Sequence, residues 1–247
     1  MGKPKIAVFS FASCEGCQLT FLNLEDELAT LLKFVDIVNF REAIDEKSED
    51  YDIAFAEGSI TTPHGEEEIK HIRERAKVLV AFGACASTGG LNTMRNWRPL
   101  EENREIVYPG EGEWPHSLPK ANRVEDIVPV DYKLYGCPPP KSEILEVTHA
   151  LLQGRKPRIP DYPVCVECRM KENVCVFEKG MFCLGPVTRA GCGALCPSYG
   201  NRCVGCRGLV DNPNTNAAKD VLAERGLTVD DVMRQLRLFF SYSEAAK

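Results

Sequence analysis

Thiols are the side chains in this sequence with the most chemistry to offer. The 247 residues carry twelve cysteines against only four histidines, and their spacing separates three groups of four. Cys165, Cys168, Cys175 and Cys183 follow C-x2-C-x6-C-x7-C, and Cys192, Cys196, Cys203 and Cys206 follow C-x3-C-x6-C-x2-C. The remaining four, Cys14, Cys17, Cys85 and Cys137, are dispersed. Four converging thiolates hold either a tetrahedral zinc ion or an iron–sulfur cubane. Zinc is the plain alternative for either C-terminal group, since zinc ribbons use the same C-x2-C pair. It is less attractive for the dispersed group. A chain of this length hides roughly 70 to 75% of its unfolded surface and folds without staples. The histidines, His64, His71, His116 and His149, match no ligand spacing and read as surface or helix-face residues.

The dispersed thiols need a scaffold that brings them together. Short apolar runs alternate with amphipathic stretches as far as residue 154, the pattern of a parallel sheet flanked by helices. Strands are expected at Lys5–Phe11, Phe34–Phe40, Tyr51–Ala56, Lys77–Phe82 and Val130–Tyr135, and helices at Gln18–Lys33, Glu66–Ala76 and Ser142–Leu152. This predicts a flavodoxin-like, doubly wound α/β domain over residues 1–154. Cys14 and Cys17 follow the first strand, Cys85 the fourth and Cys137 the fifth. Ligand sites in open parallel sheets form at the carboxyl ends of the strands, so these four should meet there. Glycines accompany them at Gly16, Gly83, Gly89, Gly90 and Gly136, where backbone N–H groups can turn towards sulfur and offset its charge. Residues 86–129, with Trp97, Trp114 and several prolines, read as a long irregular segment, either a partner-contacting loop or a surface excursion.

Composition changes after Gly154. Residues 155–163 contain three prolines and read as a linker, followed by the eight remaining cysteines. That stretch has little room for an apolar core, so bound metal must organise it. The expected second domain, residues 155–247, is small and cysteine-rich with little regular structure. It closes with helices at Asn214–Arg225 and Val229–Phe240, the latter opened by a capping box of Thr228 and Asp231.

A net charge of −6 argues against a nucleic-acid surface. The apolar runs fall short of the roughly 20 residues of a spanning helix, and no signal peptide is visible. The expectation is a cytoplasmic protein with neither a nucleic-acid nor a membrane partner. In that compartment thiols stay reduced and serve metal binding better than disulfides.

With these residues in place, the chain resembles the small, electron-transferring subunit of nickel–iron hydrogenases over nearly its whole length. Cys14-x2-Cys17, Glu57-Gly58-Ser59, Gly83-x-Cys85-x3-Gly89-Gly90 and Gly136-Cys137-Pro138-Pro139 match the proximal-cluster motifs of that family in order. Gly185 to Cys192 (GPVTRAGC) and Cys203-x2-Cys206-Arg207-Gly208 resemble its cytosolic, NADP-linked sulfhydrogenase branch. The resemblance implies three 4Fe–4S clusters: a proximal one on Cys14, Cys17, Cys85 and Cys137, a medial one on Cys192, Cys196, Cys203 and Cys206, and a distal one on Cys165, Cys168, Cys175 and Cys183. Two departures from the periplasmic members imply that all three are all-thiolate cubanes: those members place histidine where Cys165 stands and proline near Cys196. Gly16 and Gly90 stand where oxygen-tolerant relatives carry extra cysteines, so no oxygen-protective proximal cluster is expected. Glu57 is implied beside the proximal cluster by the family motif, and Glu15, inside the first C-x2-C, reads either as a tuning or proton-relay group there or as a plain solvated or hydrogen-bonded carboxylate.

By the same resemblance, H2 is split on a large subunit bearing the Ni–Fe centre, and no catalytic residue lies on this chain. Electrons pass through the three clusters to ferredoxin-like and flavin subunits that hold FAD and NADP. No G-x-G-x-x-G follows the first strand, so these nucleotides belong to partners. A 247-residue globule has a radius of gyration of about 18 Å, which makes intermediate stops for an electron necessary. Two other readings stay open. One is the cluster-bearing subunit of a complex I-like oxidoreductase, which uses adjacent cysteines in place of C-x2-C and lacks the C-terminal eight. The other is a flavodoxin-like module with zinc ribbons.

Overall fold

All five expected strands form one parallel sheet in the computed structural model, which describes residues 2–110, 112 and 116–242. They are β1 (Lys5–Ser10), β2 (Asp36–Phe40), β3 (Ile53–Glu57), β4 (Val78–Phe82) and β5 (Tyr132–Leu134), with boundaries one or two residues from those expected. The order is β2-β1-β3-β4-β5. Winding therefore reverses between β1 and β3, the flavodoxin-like arrangement. The central strands are buried on both faces and alternate in size. Val8, Phe55, Val80 and Phe82 face one side; Ala7, Ala54, Ala56 and Ala81 face the other.

Helices cover both faces. In the first part of the chain they are α1 (Gly16–Leu22), α2 (Asp26–Leu31), α3 (Pro63–Arg75), α4 (Gly83–Thr88), α5 (Leu100–Val107) and α6 (Lys141–Leu152). On the large-residue face, Phe21 of α1 meets Phe40 and Phe55 edge-on at 5.9 and 6.1 Å, and Phe55 meets Phe82 at 5.6 Å. Ile144 and Val147 of α6 complete that core. The alanine face lets α3 approach closely through Ile69 and Ile72. α3 starts three residues earlier than its periodicity indicates, because Thr62 Oγ1 accepts from Gly65 N at 3.0 Å and Pro63 suits a first-turn position.

The single helix expected at Gln18–Lys33 is broken into α1 and α2. Asn23 ends α1, and Glu25 takes φ 56°. Its apolar positions stay in phase across the break, so periodicity alone did not reveal it. Residues 86–129 are more helical than expected. They run through the end of α4, a 3-10 stretch at Gly90–Trp97, α5 and a 3-10 turn at Val124–Asp126; Trp114 lies outside the described residues.

Beyond Gly154, α7 (Val164–Met170), α8 (Leu195–Ser198), α9 (Thr215–Glu224) and α10 (Val229–Phe239) are separated by irregular chain. The capping box of α10 forms as expected, Thr228 Oγ1 accepting from Asp231 N at 3.2 Å. α9 and α10 do more than close the chain. Leu222, Val232, Leu236 and Phe239 bury against Leu184 and Val187 and reach Ala84 and Trp97 of the first region. Trp97 Nε1 donates to Ser241 Oγ at 2.9 Å, and Arg237 stacks over its ring at 4.1 Å. Part of the 86–129 segment thus grips this chain's own C-terminal helices.

Candidate functional site

The carboxyl ends of β1, β3, β4 and β5 meet at one corner of the sheet. β1 leads through the loop of Cys14 into α1, whose first turn carries Cys17. β4 passes directly into α4, which carries Cys85, and β5 delivers Cys137 through Gly136, at φ 132°. The four thiols are electrostatic neighbours. Burial, then Glu57, Cys85 and Cys137, push Cys17 well above the ordinary thiol value. Cys85 is pushed up to about 12 by burial, Cys137 and Cys14, and burial with Cys14 raises Cys137. Buried thiols that destabilise one another's charge lose their protons readily only to a positive centre.

Two polar residues of β3 and its loop brace this corner. Glu57, 1% exposed, accepts from the backbone N–H groups of Cys17 and Gln18 at 3.1 Å each, satisfying donors at the start of α1. Ser59 Oγ donates to Cys85 O at 3.0 Å and Gly89 O at 3.1 Å. Asn92, which carried no signal in the sequence, donates to Ala12 O at 2.7 Å and Ser59 Oγ at 3.2 Å. Glu15 takes φ 60° and accepts from Ser10 Oγ at 2.6 Å. That hydrogen bond, with Glu42 and Arg41, holds its carboxyl below the usual range against partial burial.

Glycine gives the sulfurs their room. A Cβ on Gly83 would lie 2.2 Å from Cys17 Sγ, and one on Gly90 would lie 3.0 Å from Cys85 Sγ. Gln18, fully buried next to Cys17, has side-chain amide atoms that meet no hydrogen-bond partner among the described residues. Thiols, glycine clearance and a spare buried donor together fit an iron–sulfur group.

The eight C-terminal thiols are electrostatic neighbours as well. Cys165 and Cys168 lie on α7. Cys165 is pushed up to about 11 by burial and then by Cys183, Cys168 and Cys175. A Cβ on Gly185 would sit 3.3 Å from Cys183 Sγ and 3.5 Å from Cys165 Sγ, so those sulfurs flank one point. In the other quartet, burial and then Cys192 raise Cys196. Cys206 is pushed up to about 11 by burial and Cys192, and Cys203 is raised by burial, with Cys183 and then Cys206 adding to it. Glu167, missed in the sequence although it lies inside Cys165-x2-Cys168, accepts from Gly191 N at 2.8 Å and Ala194 N at 3.0 Å and so holds the loop around Cys192. Among the described residues no three of the His, Cys, Asp and Glu side chains close into a single-ion cage.

The thiol groups adjoin. Arg207, next to Cys206, donates to Tyr135 O, two residues before Cys137, at 2.5 Å, and Cys203 N donates to Cys183 Sγ at 3.3 Å. Residues of the 192–207 stretch thus contact both the chain before Cys137 and the Cys183 thiol. Each group also has an exposed member: Cys14 and Cys137, Cys196, and Cys175.

Residues 14–151 match the family model described as NADH ubiquinone oxidoreductase, 20 Kd subunit. The chain belongs to this family. Among its relatives, the sulfhydrogenase 2 subunit delta of Pyrococcus furiosus is 39% identical, the match covering 95% of this chain and 98% of that one. A chain of the F420-non-reducing hydrogenase vhu from Methanocaldococcus jannaschii is 36% identical over 95% of this chain and 94% of the relative. Among solved structures, a chain of the NAD+-reducing [NiFe]-hydrogenase in the H2-reduced state superposes with a TM-score of 0.59 at 33% identity, covering 64% of this chain and 96% of that one. The doubly wound fold and the hydrogenase-subunit resemblance expected from the sequence both hold. Among the described residues no helix is long and apolar enough to cross a membrane.

Proposed function

We propose that this chain is the electron-transferring small subunit of a nickel–iron hydrogenase complex, with 4Fe–4S clusters held by Cys14, Cys17, Cys85 and Cys137, by Cys192, Cys196, Cys203 and Cys206, and by Cys165, Cys168, Cys175 and Cys183. The observation that supports it is the nearness of the thiol groups, Arg207 beside Cys206 donating to Tyr135 O near Cys137 at 2.5 Å and Cys203 N donating to Cys183 Sγ at 3.3 Å. When bound, such clusters accept and release single electrons at potentials set by ligation, hydrogen bonding and burial. The chain's residues supply those terms. Glu57 and Ser59 fix the loops of Cys17 and Cys85, and Gly185 N and Cys203 N donate to Cys183 Sγ at 3.4 and 3.3 Å. Leu19, on the helix that carries Cys17, and Leu91 and Met94, just after Gly90, leave apolar side chains about half exposed. They offer a docking face for a large subunit bearing the Ni–Fe centre.

The relatives' names support hydrogenase partner subunits. We assign the side of the chain at Cys175 to ferredoxin-like and flavin subunits serving FAD and NADP. The complex I-like reading shares the family but leaves the eight C-terminal cysteines unused. The complex purified without oxygen should carry about twelve iron and twelve sulfide on this chain once partner iron is subtracted. Stoichiometric zinc in place of that iron would overturn the proposal.

A further inference from the structure

The junction between the sheet quartet and the medial one is closed by a buried ion pair. Arg207 is 1% exposed and directly follows Cys206. Its guanidinium makes a bidentate pair with Glu143 at 2.6 and 2.7 Å. It also donates to Ala190 O at 2.6 Å and to Tyr135 O at 2.5 Å. Tyr135 stands two residues before Cys137, and Ala190 two before Cys192. One side chain therefore ties together three ligand loops from two quartets. Gly191 is small for the same reason: a Cβ there would lie 2.4 Å from Arg207 Nη2 and 3.1 Å from Glu143 Oε1.

Stability alone is a weak reason for such a pair, because desolvating two charges consumes most of their attraction and apolar residues of equal volume often serve as well. Its position gives a better one. We propose that Arg207, balanced by Glu143, is the positioning residue for the electron step between the proximal and medial clusters. It holds the Cys137, Cys192 and Cys206 loops in register and sets the reduction potentials on both sides. The inference rests on the three-cluster reading above. A four-thiolate cluster is net negative and becomes more so on reduction, so a buried cation favours the reduced form while a neighbouring carboxylate opposes it. The distal quartet serves as an internal reference.

The test is potentiometric titration of the anaerobic holocomplex followed by low-temperature EPR. Glu143→Gln keeps the shape of the side chain and leaves the Arg207 charge uncompensated. Proximal and medial potentials should rise while the distal potential stays put. Adding Arg207→Gln removes the surplus charge and should return both towards wild type, a reversal that a purely structural role does not produce. Unmoved proximal and medial potentials, or an equal shift of all three, would overturn the inference. If Glu143→Gln does not assemble, Gly191→Ala displaces the fork with both charges kept. It must then change the magnetic interaction between proximal and medial clusters, and an unchanged interaction overturns the inference. A wild-type complex without three cluster signals refutes the three-cluster reading instead, which the iron count detects separately.

Discussion

Replacing Gly83 by alanine tests the proximal quartet with one methyl group. The added Cβ would lie 2.2 Å from Cys17 Sγ, where non-bonded heavy atoms prefer about 3.5–4.0 Å. An overlap of more than an ångström has no cheap relief. Cys17 Cβ and Gly136 O crowd the same point at 3.5 and 3.6 Å, and the next residue is anchored by Ala84 N donating to Gly136 O at 2.7 Å. Gly83 also sits at φ +82°, where a non-glycine residue costs about 1–3 kcal/mol. Overpacking adds about 1–3 kcal/mol, so the combined cost of about 2–6 kcal/mol is met most easily by swinging the Cys17 thiol out of the quartet. Iron on this chain should fall from about twelve to about eight. The proximal EPR signal should disappear and H2-driven dye reduction should stop, with the other two signals kept. Gly154→Ala is the control, since it has the same kind of backbone, at φ +65°, and no atom within 4 Å of the new Cβ. It should bear the backbone strain alone and keep all its iron. A Gly83→Ala complex with full iron and an unchanged proximal signal would refute the assignment of Cys17.

Three further variants probe the remaining assignments. Cys85→Ala should abolish H2-driven dye reduction while medial and distal signals persist; full activity would remove Cys85 from the proximal site. Cys196→Pro places proline in the first turn of α8, where a missing N–H is tolerated. If Cys196 is the fourth medial ligand, one iron should leave and a three-iron EPR signal appear, with delivery to a low-potential acceptor slowed more than reduction of a high-potential dye. An all-cubane spectrum would exclude it. Glu57→Ala strands the N–H groups of Cys17 and Gln18, a loss of about 1–3 kcal/mol for each buried donor left unsatisfied. Faster loss of proximal iron to a chelator than in wild type is the expected readout, and equal rates would show that Glu57 is dispensable.

The dispersed cysteines Cys14, Cys17, Cys85 and Cys137 and their places just past β1, β4 and β5 were legible in the sequence, because strand alternation is local and a parallel sheet has one end where ligand loops collect. Glu57 and Ser59 were legible as a motif. Their work was not, since it consists of hydrogen bonds to residues far along the chain. The break between α1 and α2 was hidden because Phe21, Leu24 and Leu31 keep one helical phase through it. Only the tertiary structure showed which residues join the thiol groups, Arg207 to Tyr135 O and Cys203 N to Cys183 Sγ. It alone paired Arg207 with Glu143, 64 residues apart, and set α10 against Trp97. Local pattern names which residues can bind metal; how the sets stand to one another depends on burial shared between distant segments, and that is a property of the folded chain.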